Sequence, residues 1–139
     1  MNIHRFDDVH VGDALPELVT APVTRHTLGL YAGASGDDNP LHLDSDFARQ
    51  AGMPDVFAHG MLSMAYLGHL LTNWVEQSAI RSYSVRFVAI THVDDKVYCR
   101  ATVADKFIDK GEQRVLLHLT TRNQAGEIKL AGQAVIALA

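Results

Sequence analysis

The apolar positions of this chain follow two spacings. Between residues 24 and 77 they recur at helical intervals, and from residue 82 onward they alternate with polar ones, which predicts a helical part followed by a stranded part. Residues 1–23 hold no sustained pattern. Gly12, Pro16 and Pro22 punctuate them, and only residues 17–20, "ELVT", read as a short edge strand. Thr24 is a candidate N-cap, because its hydroxyl can accept from the free amides of a first turn. "RHTLGLYAGAS" then sets Leu28, Tyr31 and Ala32 on one stripe, so a helix of about three turns is predicted, closed at Gly36. Residues 36–58 make a connection too long to be structureless in a small domain. Within it "DSDFARQAG" predicts a short helix, capped by Asp44 or Ser45 and ended by Gly52. Residues 60–77 predict one long helix. Met61, Leu62, Met64, Ala65, Leu67, Leu70, Leu71, Trp74 and Val75 occupy nearly every face of it, and a helix apolar all round belongs in an interior.

Four alternating segments follow. Tyr83, Val85, Phe87 and Ala89 share a face in residues 82–93; Val97, Cys99, Ala101 and Val103 do so in residues 96–107. Val115, Leu117 and Leu119 share one in residues 112–122, and Ile128, Leu130, Gly132, Ala134 and Ile136 in residues 127–139. The connections "VDDK", "DKGE" and "NQAGE" hold the Asp, Asn and Gly of hairpins. The prediction is a four-stranded antiparallel meander. One long helix and one antiparallel sheet bury each other only if the sheet curls around the helix. That is an α+β hot-dog fold, read as a single domain over residues 1–139. The free sheet edge is a liability, and a two-fold dimer joining two sheets edge to edge removes it.

Composition narrows the function. Apolar residues make up 47% of the 139 residues, enough for a core, and the formal net charge is −4 with no basic run. Nothing in that distribution asks for nucleic acid or an anionic membrane. The lone cysteine, Cys99, excludes an intrachain disulfide and fits a reducing compartment. The opening residues hold acids and no apolar stretch of signal-peptide length. The reading is a soluble cytoplasmic protein.

Candidate chemistry gathers in "SGDDNPLH", residues 35–42. Gly36, Asp37, Asp38, Asn39 and Pro40 are common turn formers, and a plain turn is the bland reading. Its company argues for more. His42 follows Asp37 across a proline-fixed bend that can fold the two side chains together, and the segment leads into "AHGM" at the start of the apolar helix. The first amides of a helix lack internal partners and sit at its positive end. Gly60 has no side chain to screen its amide, so a carbonyl oxygen gaining negative charge can settle there. Asp37 and His42 then form an acid/base pair facing an oxyanion site.

Other polar residues read as structural. Asp37, His42, Asp44 and His59 are metal-type donors, yet no close His-x-x-x-His or Cys-x-x-Cys pair is present, and no metal is expected. Ser63 has no base at fixed spacing, and Cys99 reads as core. Met61 and Met64 read as core, with an acyl tunnel as the alternative. Arg81, Arg86, Arg100 and Lys106 read as polar-face residues, with coenzyme A phosphates as the alternative.

"YAGASGDDNPLHLD" and "FAHGMLSMAYLGHLL" together resemble the MaoC-like dehydratase family, also called hydratase 2 or (R)-specific enoyl-CoA hydratase. The family pattern Gly-Asp-x-Asn-Pro-x-His meets Gly36, Asp37, Asn39, Pro40 and His42 without a gap, and His59, Gly60 and Met61 meet its second block. The chain is also similar to the catalytic subunit of mycobacterial hydroxyacyl-carrier-protein dehydratases. The resemblance implies reversible hydration of a trans-2-enoyl thioester to an (R)-3-hydroxyacyl thioester, with Asp37 and His42 as the catalytic pair. It implies no cofactor, and a substrate carried on coenzyme A or on acyl carrier protein. Asn39, Gly60 and His59 make the expected substrate-binding set: Gly60 through its amide, Asn39 as a positioner of loop or water, His59 mainly as a structural residue at the helix start. Many relatives have Pro-Gly-Asp where this chain has "THVDD", residues 91–95. With one hot-dog unit in the chain, a homodimer or a related partner subunit is expected.

Two other functions compete. A hot-dog thioester hydrolase uses a carboxylate on the central helix, but residues 61–73 contain no acid and Glu76 lies far along. A non-catalytic acyl-binding subunit tends to lose the acid/base pair, which is intact here.

Overall fold

The computed structural model describes residues 4–139; the first three residues of the segment read as irregular lie outside them. The remainder of that segment runs along one edge of the sheet. Leu15 N–H donates to the Ala101 carbonyl at 3.0 Å, and β1 (Leu18–Val19) pairs with Cys99 and Tyr98. Helix α1 (Arg25–Ser35) starts as its sequence predicts: Thr24 Oγ1 accepts from Thr27 N–H at 3.1 Å. It stops at Gly36, whose φ of 78° is the left-handed conformation that glycine adopts without strain. Helix α2 (Ser45–Gln50) is capped by Asp44, which accepts from the amides of Asp46 and Phe47 at 3.0 and 3.2 Å.

Helix α3 (Gly60–Trp74) is the long helix, but it ends before residue 77. Val75 is extended, with φ −137° and ψ 165°, and a 3-10 turn follows at Gln77–Ala79. Nor is α3 enclosed on all sides. Leu62, Leu67, Leu70, Leu71 and Trp74 are buried, whereas Met61, Ala65, His69, Thr72 and Asn73 are exposed along one stripe. A single curled sheet covers only the side it faces.

That sheet has five antiparallel strands in the order β1-β3-β4-β5-β2, with β2 at Ile80–Phe87, β3 at Tyr98–Asp109, β4 at Glu112–Arg122 and β5 at Ile128–Ala137. The three later strands form the expected meander. The first does not join it beside β3: β2 pairs with β5, from Ile80↔Ile136 to Phe87↔Leu130. The reason lies in residues 88–97, read as strand ends and a hairpin. Thr91 and Asp95 give their carbonyls to Ala58 and Val23, and Asp94 N–H bonds Val23. Those backbone groups serve other segments, so the chain crosses over instead of turning back. Alternation reports which face a side chain occupies and does not report which strand lies beside it.

The core lies between α3 and the inner sheet face. Leu67 and Leu71 from the helix, Leu117 and Leu119 from β4 and Ile136 from β5 are all at most 1% exposed. Tyr83 OH donates to the Met64 carbonyl, tying β2 to the middle of α3. Cys99 is buried, and burial, reinforced by the charge of Glu17, pushes its thiol up to about 12. Replacing Leu117 by alanine removes a side chain with no exposure from a packed interior. The expected loss is about 2–5 kcal/mol, read as a lower urea midpoint at unchanged slope.

Among the described residues, no helix is long and apolar enough to cross a membrane.

Candidate active site

A run of local hydrogen bonds shapes the loop after α1. Ser35 Oγ accepts from Asp37 N–H at 3.1 Å, and the Asp37 carboxylate accepts from Asn39 N–H at 3.3 Å. Asn39 Oδ1 accepts from Leu41 N–H at 3.0 Å, leading into a 3-10 turn at Pro40–His42 with proline at its start. Asx-type bonds of this kind are what Asp and Asn supply best. The turn aims His42 at the segment just before α3, where its Nδ1 lies 2.7 Å from the Phe57 carbonyl. A carbonyl only accepts, so Nδ1 carries a hydrogen, and in the neutral ring the lone pair is on Nε2. The His42 ring meets Phe57 edge-on at 5.0 Å and stacks on His59 at 3.9 Å with a 25° tilt.

The helix start is fixed by the crossover segment. Ala58 N–H donates to the Thr91 carbonyl at 2.9 Å, and Phe57 bridges His92. Gly60 then opens α3 with the ring of Phe87 pressed against it. A Cβ added at Gly60 would come within 2.7 Å of two Phe87 ring carbons. A cavity of about 390 Å³ lies here, lined by Asp37, His42, Gly60, Met61, Phe87 and Ile90 among others. It brings together Asp37, His42 and Gly60, three of the residues singled out from the sequence. Asn39 and His59 are not on its wall. The Asn39 side chain is engaged within the loop, and His59 lies 1% exposed behind His42.

His59 Nε2 is 3.0 Å from the main-chain oxygen of Asp37, so it donates there. Burial pulls the His59 pKa below the ordinary value, opposed by that bond and assisted by the neighbouring His42. Asp37, His42 and His59 each place one ligand-type atom within 4.8 Å of the others. Two of the ring nitrogens are already held by main-chain oxygens, His42 Nδ1 by Phe57 and His59 Nε2 by Asp37, and the stacked rings send their remaining nitrogens out along nearly parallel planes.

Several contributors carried no sequence signal. Phe87 reads as a sheet residue facing the core, yet it is 56% exposed and covers Gly60. Asp55 ties α1, α2 and the approach to α3 together. It accepts from Ser45 Oγ at 2.6 Å, from Val56 N–H at 2.7 Å and from Arg25. Those three bonds, Ser45 first, hold its carboxyl well below the usual range. Met61, read as core, is 53% exposed at the cavity mouth. Of the four cations set against coenzyme A phosphates, Arg81 pairs with Glu112, Arg100 with Glu17, and Lys106 lies over the Phe6 ring. A larger cavity of about 550 Å³ lies at the other end of α3, among Trp74, Glu76, Arg81 and Leu138; neither Asp37 nor His42 lines it.

Known proteins share this architecture. The R-hydratase PhaJ1 from Pseudomonas aeruginosa superposes with a TM-score of 0.83 at 26% identity, over 96% of this chain and 85% of that one, and the hot-dog fold is common to both. An (R)-specific enoyl-CoA hydratase of Rhodospirillum rubrum is 29% identical over 96% of this chain and 91% of its own length. The fatty acid synthase subunit beta of Saccharomyces cerevisiae is 31% identical over 92% of this chain, which spans only 6% of that much longer protein. Residues 9–124 match the MaoC like domain. With the match covering most of the chain, this protein belongs to the MaoC-like domain family of hydratases and dehydratases.

Proposed function

We propose that this chain is a hydro-lyase that reversibly hydrates trans-2-enoyl thioesters to (R)-3-hydroxyacyl thioesters. The observation that carries the reading is the meeting of Asp37, His42 and the first amide of α3 on one cavity. A water held between the Asp37 carboxylate and His42 Nε2 faces C3 of the alkene. Its oxygen bonds C3 as the C2–C3 π bond opens, and one of its protons passes through the pair to C2. The thioester oxygen gains enolate character, and the Gly60 N–H meets that charge. Phe87 packs over Gly60 on the wall of the same cavity. The chemistry is proton transfer and needs no cofactor or metal, with the acyl group carried on coenzyme A or acyl carrier protein. The (R) configuration follows the specificity for which the R. rubrum relative is named.

A hydrolase reading lacks its carboxylate: Glu76 lies past the end of α3 and lines the other cavity. A non-catalytic subunit would have no use for the intact pair. The reading includes a two-fold homodimer, or a pairing with a related subunit, in a reducing cytoplasm. The outer edge of β2 pairs with no strand among the described residues, and Phe87, Val88 and Ile90 are exposed beside it and beside the cavity. A second copy laid along β2 pairs that edge and covers those side chains.

The test is incubation with crotonyl-CoA. Loss of enoyl absorbance without release of free thiol, giving the (R) product on chiral analysis, is the expected result. Release of thiol establishes a hydrolase instead, and inertness toward short and medium enoyl thioesters on both carriers removes the reading.

A further inference from the structure

His59 is the one buried histidine of the site, and it is built unlike His42. Its ring contacts three neighbours: Tyr31 edge-on at 4.7 Å, His42 face-on at 3.9 Å, and the Asp37 main-chain oxygen through Nε2 at 3.0 Å. Its Nδ1 is buried with no hydrogen-bond partner among the described residues. His59 is the N-cap residue of α3 but makes no side-chain cap bond, so its ring does not serve the helix. It also stands off the cavity wall. Both contacts it makes toward the site act on the catalytic pair, one on the backbone that carries Asp37 and one on the plane of the His42 ring.

We propose that His59 is a positioning residue, a permanently neutral imidazole that fixes the Asp37 backbone with its Nε2–H and holds the His42 ring in register with its face. The proposal rests on the hydro-lyase reading for what the pair does, and stands on its own for the state of the ring. The titratable groups that meet His59 are Tyr31 from α1 and Asp37 and His42 from the loop; α3 brings no acid or base of its own against it. A second proton on His59 would sit on a buried Nδ1 with no acceptor, face to face with a ring that must itself gain and lose a proton. Burial, which disfavours the charged form, acts in the same direction. A neutral plate lets His42 change charge without opposition, and the bond to Asp37 keeps carboxylate and imidazole at one spacing through the cycle.

Three variants separate the two contacts. His59→Gln keeps an N–H for the Asp37 carbonyl and loses the ring. His59→Phe keeps a ring and loses the donor. His59→Ala loses both. Misplacement of a reacting group by about 1 Å costs about a hundredfold in rate. The expected result is therefore a kcat for His59→Ala down by about that factor with KM within about threefold, and partial recovery in each of the other two, without parallel change in melting temperature. Three folded variants with kcat near that of the unchanged protein overturn the proposal, as does a raised KM at full kcat, which would place His59 on the substrate. Ring nitrogen NMR of the unchanged protein tests the state without any assay of turnover. The expected spectrum is the neutral Nε2–H tautomer throughout the range of about pH 5 to 8 in which histidines ordinarily change charge. A cationic His59 within that range overturns the proposal even if the enzyme is active, and a neutral one stands even if the substrate class is wrong.

Discussion

Asp37→Asn and His42→Ala each lower enoyl-thioester hydration by about two to four powers of ten, the usual worth of positioned acid–base help. The asparagine keeps the shape of the loop: its side-chain oxygen still accepts from Asn39 N–H, the bond made at 3.3 Å by the native carboxylate. What it loses is the capacity to take a proton from water. Alanine at 42 removes the imidazole that lines the cavity, the ring whose Nδ1 is held by the Phe57 carbonyl. Neither residue lies in the core, Asp37 being exposed and His42 half-buried, so both variants should melt close to the unchanged protein. Because the two groups act on one water, the double variant loses about as much as the worse single one. Stopped assays with crotonyl-CoA and a thermal melt decide the matter. Two folded variants near full activity would remove Asp37 and His42 from the chemistry.

The second large effect is at Gly60. Gly60→Pro deletes the amide proposed to meet the enolate oxygen, and the chain tolerates proline there for two reasons. The first position of a helix has no internal use for its N–H. The residue before a proline must be extended, and His59 already is, with φ −60° and ψ 134°. The complication is the Cβ, which meets the Phe87 ring at 2.7 Å. That ring is 56% exposed and can swing outward. Gly60→Ala adds the same Cβ and keeps the amide, so the comparison of interest is proline against alanine. Loss of one such donor is worth about two to three powers of ten in kcat. Equal rates in the two variants would mean that the charge is met elsewhere.

Much of this was legible in one dimension because it depends on short-range chemistry. Thr24, Gly36, Asp44 and the proline turn at 40–42 act within a few residues of themselves, and each does what its type predicts. The inner faces of β3 and β4 were equally plain, since alternation is a property of one strand. Three things were not. The neighbour of β2 depends on where the crossover segment's carbonyls are needed, and those needs arise from Ala58 and Val23, remote in sequence. The open stripe of α3 begins with Met61 and Ala65, apolar like the buried Leu62 and Leu67, so its first turns carry no pattern that separates Met61 from Leu62; only His69, Thr72 and Asn73 mark it farther along. Phe87 and Asp55 matter through what they touch, Gly60 in one case and Ser45 with Arg25 in the other. His59 was visible as a residue of the site, but its partners, a main-chain oxygen and a ring face, leave no trace in spacing.

The pairing of β2 with β5 has a consequence for how the protein is made. Residues 80–87 leave the ribosome well before residues 128–137, their only strand partner among the described residues. Until the later segment arrives, Phe87 has no ladder to hold it over Gly60, whereas the bonds that shape the loop carrying Asp37 and His42 need only residues 35–41. With near contacts formed before distant ones, the expected order is the loop bonds around Asp37 first and the seating of Phe87 over Gly60 last.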